Sequence, residues 1–466
     1  MRDGISLAIL AIVLGQTSFL SGDDSNAHLP LSPEALQGEW LSDGYGEVFR
    51  FDREFLHIFQ LTTHSCIAAE TAIRNRNSSN SAEAVFVSGS DVMRLRAGTS
   101  PETRWFHFDG SVSNILIQRA SSAPEPCQRS LADTAVTNYQ AFWDTFAEQY
   151  PFFELHNVDW IAVDKKFRPQ VTNTTTLENL FKIFRDMLQP LHDAHTGIDA
   201  ESIHQEFHGY RPAMDRMQRK NAGRIAQIIE SRYVKGGLRD FCHRKLQYGL
   251  LMDSVGYLRI NSFEGFSADE AFASQADELE TALDEIFKNS TKLTGLIIDV
   301  RINPGGSDAF GISIASRLAG SEYLAYSKVA RNDIHDPKHH TAPQPVVVHV
   351  SLQPGFWGPV VLLTSSDSVS AAETFSMALL GRQPHVTSVG QNTQGVFSDV
   401  LDRKLPNGWI VSLPNEVYIS KNGQTFDGTG VPPDVEVPVF SSEDLANNRD
   451  TAIEKALELL KHSHAD

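Results

Sequence analysis

The segment VVLLTSSDSVSAAETF, residues 360–375, joins an apolar run to a helical run through a short polar loop. Ser370 and Glu373 fit the S/T-x-x-E pattern of a capping box, in which a hydroxyl and a carboxylate satisfy backbone N–H groups at the start of a helix. Taken alone, the segment favours this interpretation of Ser370. The same position also suits a nucleophile, because a helix N-terminus presents free N–H groups to a developing oxyanion. The rest of the chain must decide between cap and nucleophile.

Strands and helices alternate on both sides of this segment. The apolar, β-prone runs are VGYLRI (255–260), GLIIDV (295–300), VVLLT (360–364) and HVTSVG (385–390). Because helical runs separate them, they predict an α/β fold with a parallel-rich sheet covered by helices. Ligands gather at the carboxyl ends of strands in such sheets. The polar loops that follow the last three runs, DVRINPGG, SSDSVSAAE and GQNTQG, should therefore converge.

The remaining chain divides by composition. Residues 36–120 contain short β-prone runs separated by turn residues, which predicts a small β-rich accessory domain, a meander or a barrel. The SSAPEPC stretch that follows is typical of a linker, so a chain without residues 1 to about 125 is expected to stay folded and soluble. Apolar residues at helical spacing predict a helical bundle over 131–200. Residues 250–460 form the predicted α/β core, in which GWIVSLPNEVYIS (408–420) predicts a hairpin.

The composition is that of an acidic globular protein. The chain has 466 residues, of which 41% are hydrophobic and 21% charged, enough for two or three domains with a large core. A formal net charge of −18 argues against nucleic acid as a partner, because phosphate binding needs basic surface. The sequence has no H-E-x-x-H motif and no C-x-x-C pair, so we expect neither a metal nor another cofactor. A homo-oligomer is left open.

The N-terminus has the order of a signal peptide over residues 1–22. Arg2 precedes a short apolar run, Ile5–Leu14, and a polar stretch follows. The run is short for a membrane span, and an uncleaved anchor is the alternative. No other segment is long and apolar enough, so no span is expected after cleavage, and a secreted or periplasmic location follows. In an oxidising compartment Cys66 and Cys127 could pair, although sequence alone does not fix the pairing.

RINPGG (301–306) allows two interpretations. By itself it favours an ordinary Pro-Gly turn. Alternatively, its glycines let backbone N–H groups point outward with no Cβ in the way. In that case Gly306, and Gly305 as a second candidate, would form an oxyanion hole together with the N–H of Ala371.

The ordered set LIIDVRINPGG, VVLLTSSDSVSAAE, VGQNTQG, LPNGW and DGTGVPPDVEV resembles the S41 serine peptidases, the family of the C-terminal processing, or tail-specific, proteases and the tricorn core protease. The similarity runs from about 255 to 439, and the helical segment ending in LHDAHTG is similar to the family's N-terminal helical region. The resemblance implies a ClpP/crotonase-like core and places the nucleophile at Ser370, ahead of Ser366 and Ser368. It does not explain residues 36–120.

The resemblance also bears on the base that a serine nucleophile needs. The tail-processing branch uses a lysine in a G-K-G loop, but that position is Val396 here, and a valine cannot accept a proton. The tricorn-like branch uses a histidine and an acid. LHDAHTG then points to His195 rather than His192, and DGTGVPPD points to Asp427. The alternatives are a helix-end histidine that caps carbonyls and a turn aspartate before glycine. Asp434 is expected to be structural.

These features predict a serine-type endopeptidase that cleaves proteins or peptides through an acyl-enzyme on Ser370. His195 would take and return the proton, and Asp427 would fix its tautomer. About sixty residues separate His195 from the strand at 255, too few for the PDZ module of many tail-processing relatives, so recognition of substrate C-termini is not implied. The alternative function is a non-catalytic S41-like protein that binds a small apolar ligand or a peptide.

Overall fold

The N-terminal part of the described chain is a closed barrel of eight antiparallel strands. The structure is a computed structural model that describes residues 31–80, 82–211, 221–252 and 254–462. A short helix, α1 (Pro33–Leu36), precedes the barrel strands β1 (Gly38–Ser42), β2 (Glu47–Asp52), β3 (Phe55–Leu61), β4 (Cys66–Arg74), β5 (Glu83–Ser88), β6 (Asp91–Ala97), β7 (Thr103–Phe108) and β8 (Ile115–Arg119). Buried apolar side chains such as Trp40, Phe49 and Phe106 fill its interior. The predicted β-rich region is therefore a barrel with a packed core.

A disulfide ties the barrel to the segment that follows it. Cys66, at the start of β4, is bonded to Cys127, which lies in the short turn Glu125–Gln128. The two cysteines are 61 residues apart in sequence, so the bond restricts a long loop of the unfolded chain. The predicted signal peptide, residues 1–22, lies outside the described residues. In the part of the chain that is described, no helix has the length and apolar character needed to cross a membrane.

Three helices follow the disulfide and enclose an aromatic core. They are α2 (Ala135–Gln149), α3 (Trp160–Phe167) and α4 (Leu177–Leu188). The rings of Phe142 and Phe184 stack with centroids 4.0 Å apart, which joins α2 to α4. After α4 the chain enters β9 (Gly197–Ala200) and β10 (Gln205–His208). His195 thus lies in the loop that leads from the helical region into a strand.

The central sheet has seven strands in the order β11-β12-β13-β14-β17-β18-β22. Its strands and the intervening helices are α5 (Ala222–Arg232), β11 (Val234–Phe241), β12 (Leu246–Leu251), β13 (Val255–Ile260), α6 (Phe272–Phe287), β14 (Gly295–Asp299), α7 (Asp308–Ser316), β17 (Val360–Thr364), α8 (Ala371–Leu379), β18 (Thr387–Gly390), β22 (Val435–Glu436), α9 (Ser442–Ala446) and α10 (Thr451–His462). The strands from β13 to β22 are parallel. Buried residues of α6, α7 and α8 pack on one face, and those of α5 and α10 pack on the other. This confirms the predicted parallel-rich sheet covered by helices.

Two smaller sheets attach the helical region to the core. The first has the strand order β10-β9-β20-β19 and adds β19 (Val400–Lys404) and β20 (Ile410–Pro414). The second has the strand order β16-β15-β21 and consists of β15 (Tyr323–Ala330), β16 (Gln344–Val348) and β21 (Glu416–Ser420). The prediction of a hairpin over 408–420 is wrong. Both strands exist, but β20 pairs with β19 and β9, whereas β21 pairs with β15. The chain passes from one sheet to another at Asn415.

The barrel packs against the core through buried polar contacts. Tyr45, in the turn between β1 and β2, donates a hydrogen bond to the Glu416 carboxylate at 2.7 Å. Arg403 of β19 pairs with Glu47 of β2 at 3.4 Å, and both side chains are nearly fully buried. Removing the barrel would therefore leave the Arg403 guanidinium without its carboxylate, at a cost of several kcal/mol for a buried pair.

These contacts argue against the expectation that a chain without residues 1 to about 125 remains soluble. We expect this fragment to aggregate or to unfold at a lower temperature than the full chain, because Arg403 loses its buried partner Glu47 and Glu416 loses the hydrogen bond from Tyr45. Expression of both forms followed by gel filtration and thermal unfolding would measure the difference. As a control, Tyr45→Phe in the full chain should cost only about 1 kcal/mol, the value of one hydrogen bond. A monodisperse fragment that unfolds cooperatively would show that the core does not need the barrel.

Candidate active site

Ser370 precedes α8 in a strained backbone conformation. Its φ is 55° and its ψ is −119°, a region that residues with a side chain seldom occupy and that costs on the order of 1–3 kcal/mol. The turn leaves Ser370 partly exposed. Ser368, by contrast, is fully buried and donates its hydroxyl to the Val300 carbonyl at 2.8 Å. Ser368 therefore has a structural role, and Ser370 is the better placed of the two to meet a substrate.

Glu373 joins Ser370 to the loop that follows β18. Its carboxylate accepts the N–H of Ser370 at 3.2 Å, that of Gly395 at 2.5 Å and that of Val396 at 2.8 Å. The N–H of Glu373 in turn donates to the Ser370 carbonyl at 2.7 Å. Burial raises the pKa of Glu373 to about 7. The carboxylate that the sequence predicted as half of a capping box therefore also positions a second loop.

The RINPGG turn lies directly against the Ser370 backbone. A Cβ added to Gly305, whose φ is +109°, would approach the Ser370 Cβ to 2.7 Å and the Ala371 nitrogen to 3.2 Å, so only glycine fits there. The N–H of Gly305 donates to the Asn303 side chain at 2.8 Å. Among the hydrogen bonds of the described residues, none uses the N–H of Gly306 or of Ala371. These two donors are therefore the ones left for an oxyanion.

His195 is fixed by a backbone carbonyl. Its Nδ1 lies 3.0 Å from the carbonyl oxygen of Phe397. A carbonyl only accepts hydrogen bonds, so Nδ1 carries the proton and Nε2 is left without one. The backbone N–H of His195 donates to Asp193 at 2.9 Å, and Tyr150 donates to the other oxygen of that carboxylate at 2.8 Å. Burial lowers the pKa of His195. The tautomer present is thus the one that a general base at Nε2 requires.

Asp427 lies on the opposite side of the same peptide segment. The backbone N–H of Phe397 donates to its carboxylate, and within the described chain its Oδ2 has no hydrogen-bond partner. Burial, followed by the charges of Asp193 and Glu373, holds the pKa of Asp427 well above its usual range. None of the described hydrogen bonds joins Asp427 to His195 directly. Phe397 therefore separates the predicted acid from the predicted base.

One short segment, residues 394–397, connects the predicted site residues. Glu373 holds its Gly395 and Val396 N–H groups, while His195 and Asp427 contact the two ends of the Phe397 backbone. In the described part of the chain, no hydrogen bond links Ser370 to His195. The structure therefore brings the serine and histidine motifs to one segment and leaves their direct contact unmade. Asp434, which accepts hydrogen bonds from Ser388, has the structural role that was predicted.

Glu373→Gln tests whether this segment depends on the carboxylate. An amide presents its own N–H group where Gly395 or Val396 now donates, so at least one buried donor would lose its partner. We expect a loss of roughly 1–3 kcal/mol in the free energy of unfolding, together with faster hydrogen exchange at Gly395 and Val396. Glu436→Gln, at an exposed position of β22, serves as the control. Equal stability of the two variants would contradict a positioning role for Glu373.

Three charged residues near the site were not found by the sequence analysis. Lys328 of β15 is buried and pairs with Asp399 at 2.6 Å and with Glu416 at 2.9 Å. Lys328 stands inside the apolar strand YLAYSKVA, where no motif marks it as part of a site. Asp399 lies three residues beyond Val396 and could have been noticed from that proximity alone. In the described ranges, no group of three or more His, Cys, Asp or Glu residues is placed to hold a metal ion.

Comparison with family models divides the chain as the structure does. The model described as peptidase family S41 matches residues 254–437, and the model described as the tricorn protease C1 domain matches residues 134–189. The first match contains Ser370 and Asp427. His195 lies six residues beyond the end of the second, and the barrel lies outside both.

Individual relatives are distant. A carboxyl-terminal-processing protease of Synechocystis is 26% identical over 211 residues, which cover 44% of this chain and 44% of the relative. One from Picosynechococcus is 25% identical over 283 residues, 58% of this chain and 61% of the relative. The chain spans about half the length of the curated relatives it matches. A crystal structure from Parabacteroides merdae, described as a candidate peptidase, is 28% identical with a TM-score of 0.58 and covers 71% of this chain and 97% of that one.

Proposed function

Because the chain belongs to peptidase family S41, we propose that it is a serine endopeptidase acting on proteins or peptides. Ser370 is the nucleophile and forms the acyl-enzyme, His195 is the general base, and Asp427 is the acidic residue that supports the histidine. The observation that most supports this proposal is the hydrogen bond from His195 Nδ1 to the Phe397 carbonyl at 3.0 Å. This hydrogen bond leaves Nε2 of His195 free to accept a proton. It also attaches the imidazole to the 394–397 segment, which Glu373 holds beside Ser370.

The reaction follows the order of a serine hydrolase. Ser370 Oγ attacks the scissile carbonyl carbon as its proton passes to Nε2 of His195. The N–H groups of Gly306 and Ala371 stabilise the negative charge on the carbonyl oxygen. Collapse of this intermediate expels the amine, which takes the proton from His195. Water then attacks the ester, gives a proton to His195, and the serine hydroxyl is restored.

The supporting acid acts through a peptide group in this proposal. Asp427 accepts the N–H of Phe397, and the carbonyl of the same residue accepts Nδ1–H of His195. Asp427 thus orients the residue that fixes the histidine tautomer. Asp427→Ala, which removes this acceptor, is therefore expected to lower turnover without unfolding the chain, and Asp427→Asn, which keeps an acceptor oxygen, should lower it less.

Substrate recognition in this proposal does not use a separate peptide-binding module. The described residues between His195 and Val255 include β9 and β10, which extend one small sheet, and β11 and β12, which extend the central sheet.

We also propose export to an oxidising compartment, secreted or periplasmic, because the Cys66–Cys127 disulfide persists in such compartments and is rare in reducing ones.

Labelling with a fluorophosphonate, followed by mass spectrometry of the modified peptide, tests the proposal. The serine oxygen attacks phosphorus and displaces fluoride, so only an activated serine reacts at an appreciable rate. We expect the label on Ser370. A folded protein that takes up no label would contradict the proposal and favour the alternative, a binding protein with the same fold.

A further inference from the structure

A buried lysine, Lys328, lies where the barrel and the core meet, close to the end of the 394–397 segment that contacts His195. The Nζ atom of Lys328 is 2.6 Å from Oδ2 of Asp399 and 2.9 Å from Oε2 of Glu416. The Lys328 side chain is 1% exposed, whereas the Asp399 side chain is 50% exposed. Tyr45 of the barrel donates to the other oxygen of Glu416 at 2.7 Å. One cation therefore binds two carboxylates, of which only Asp399 faces solvent.

The backbone around Asp399 is fixed from both sides. Ser398 donates its hydroxyl to the Asp399 carbonyl at 2.8 Å and accepts the N–H of Glu416 at 3.1 Å. Two residues before Asp399, the Phe397 carbonyl accepts Nδ1–H of His195 at 3.0 Å. The segment that orients the imidazole therefore also sets the position of this carboxylate.

The carboxylates around His195 differ in charge. Asp193 and Asp399 both raise the pKa of His195 and oppose the lowering by burial. Burial also raises the pKa of Asp399, but the ammonium of Lys328 outweighs it and lowers that pKa below its usual value. The pKa of Asp427 is instead held well above its usual range. Asp399 is thus ionised, whereas Asp427 favours its neutral form.

Further charged groups complete these surroundings. Glu373 and Asp427 lie across the 394–397 segment from His195, and Arg211 donates to the Gln394 carbonyl at 3.3 Å. On the far side of Asp399 lies Asp308, whose pKa burial and the Asp399 charge raise to about 6. A change of charge at Asp399 therefore acts on His195 and also on Asp308 and Lys328, whereas Glu373 and Asp427 lie on the other side of the 394–397 segment.

We propose that Asp399, held by Lys328 and Ser398, is a positioning residue for His195, whose negative charge stabilises the imidazolium as the proton moves from Ser370. This inference rests on the proposed function. Asp399 then has the electrostatic part of the role predicted for Asp427, and Asp427 keeps the part of orienting Phe397. It also connects the barrel to the site, since Tyr45 and Glu416 complete the surroundings of Lys328.

The test is the pH dependence of Ser370 phosphonylation in the full chain. Asp399→Asn removes one negative charge near His195, so the imidazolium becomes less favourable and the pKa of His195 falls. We expect the acidic limb of the rate profile to move to lower pH by roughly 0.5–1 unit, and the plateau rate to fall roughly tenfold. A purely structural role would change the plateau alone and would leave the limb in place.

Two variants serve as controls. Asp402→Asn makes the same charge change three residues further along, at an exposed position of β19, and should leave the profile unchanged. Asp399→Glu keeps the charge and should restore most of the limb position. Asp399→Ser makes the charge change with a smaller side chain and repeats the test if Asp399→Asn does not fold.

The outcomes separate the inference from the proposed function. If the wild type is labelled on Ser370 but the Asp399→Asn limb coincides with that of Asp402→Asn, the role of Asp399 is overturned and the serine mechanism remains. If the wild type takes up no label on Ser370, the proposed function fails and the inference with it.

Discussion

Ser370→Ala is expected to abolish hydrolysis and fluorophosphonate labelling, with a loss of roughly 10⁴-fold or more, as for other serine hydrolases that lose their nucleophile. The fold should persist. The N–H of Glu373 donates to the Ser370 carbonyl rather than depending on the side chain, and alanine tolerates the strained φ of 55° about as well as serine does. The measurements are turnover of a labelled protein substrate, probe uptake and thermal unfolding.

Nearby serines provide matched controls for Ser370. Ser366→Ala changes the neighbouring hydroxyl and should keep full labelling. Ser368→Ala removes a hydroxyl that is buried against the Val300 carbonyl, so it should lower stability by roughly 1–3 kcal/mol while the probe still reacts with Ser370. Full activity of purified Ser370→Ala, or loss of labelling only in Ser366→Ala, would show that Ser370 is not the nucleophile.

Strand identity was predictable from sequence, but strand partners were only partly so. The runs at 255–260, 295–300 and 360–364 are parallel neighbours, as predicted, because helices between them leave few other arrangements. For the segment GWIVSLPNEVYIS (408–420), the predicted strand partners were wrong. Two strands separated by Asn415 alone suggest a hairpin locally, yet they do not pair with each other: β20 pairs with β19 and β9, and β21 pairs with β15. Local periodicity identifies strands, whereas their partners depend on tertiary packing.

The residues of the candidate site were likewise only partly predictable from sequence. Ser370, Glu373 and His195 could be predicted from sequence because each lies in a short motif with polar residues at a loop or helix end. Phe397 was not, because it contributes its backbone N–H and carbonyl, and no side-chain pattern reports the use of a peptide group. Lys328 was also missed, since a single lysine in a strand is usually a solvent-facing residue. Its burial follows only from the meeting of β15, β21 and the barrel.

His195→Ala should lower turnover on the order of 10³-fold or more, because it removes the group that accepts the serine proton. In the wild type, the rate should rise with pH through the pKa of His195. Burial lowers that pKa from the usual value of about 6.5. Below its pKa the imidazole is protonated at Nε2 and cannot act as a base, so the rate falls as the pH is lowered. The acidic limb should therefore lie below about pH 6.5, and His195→Ala should lack it in its residual rate.

A lysine base is the competing explanation, and two lysines are candidates. Lys404→Ala should have little effect, because Lys404 is exposed at the end of β19, eight residues beyond Val396. Lys328 is no better as a base. Burial alone would lower its pKa, but Asp399 and Glu416 outweigh burial and raise the pKa of Lys328 above its usual range. An inactive Lys404→Ala beside an active His195→Ala would overturn the assignment of His195 and indicate a rearranged serine–lysine peptidase.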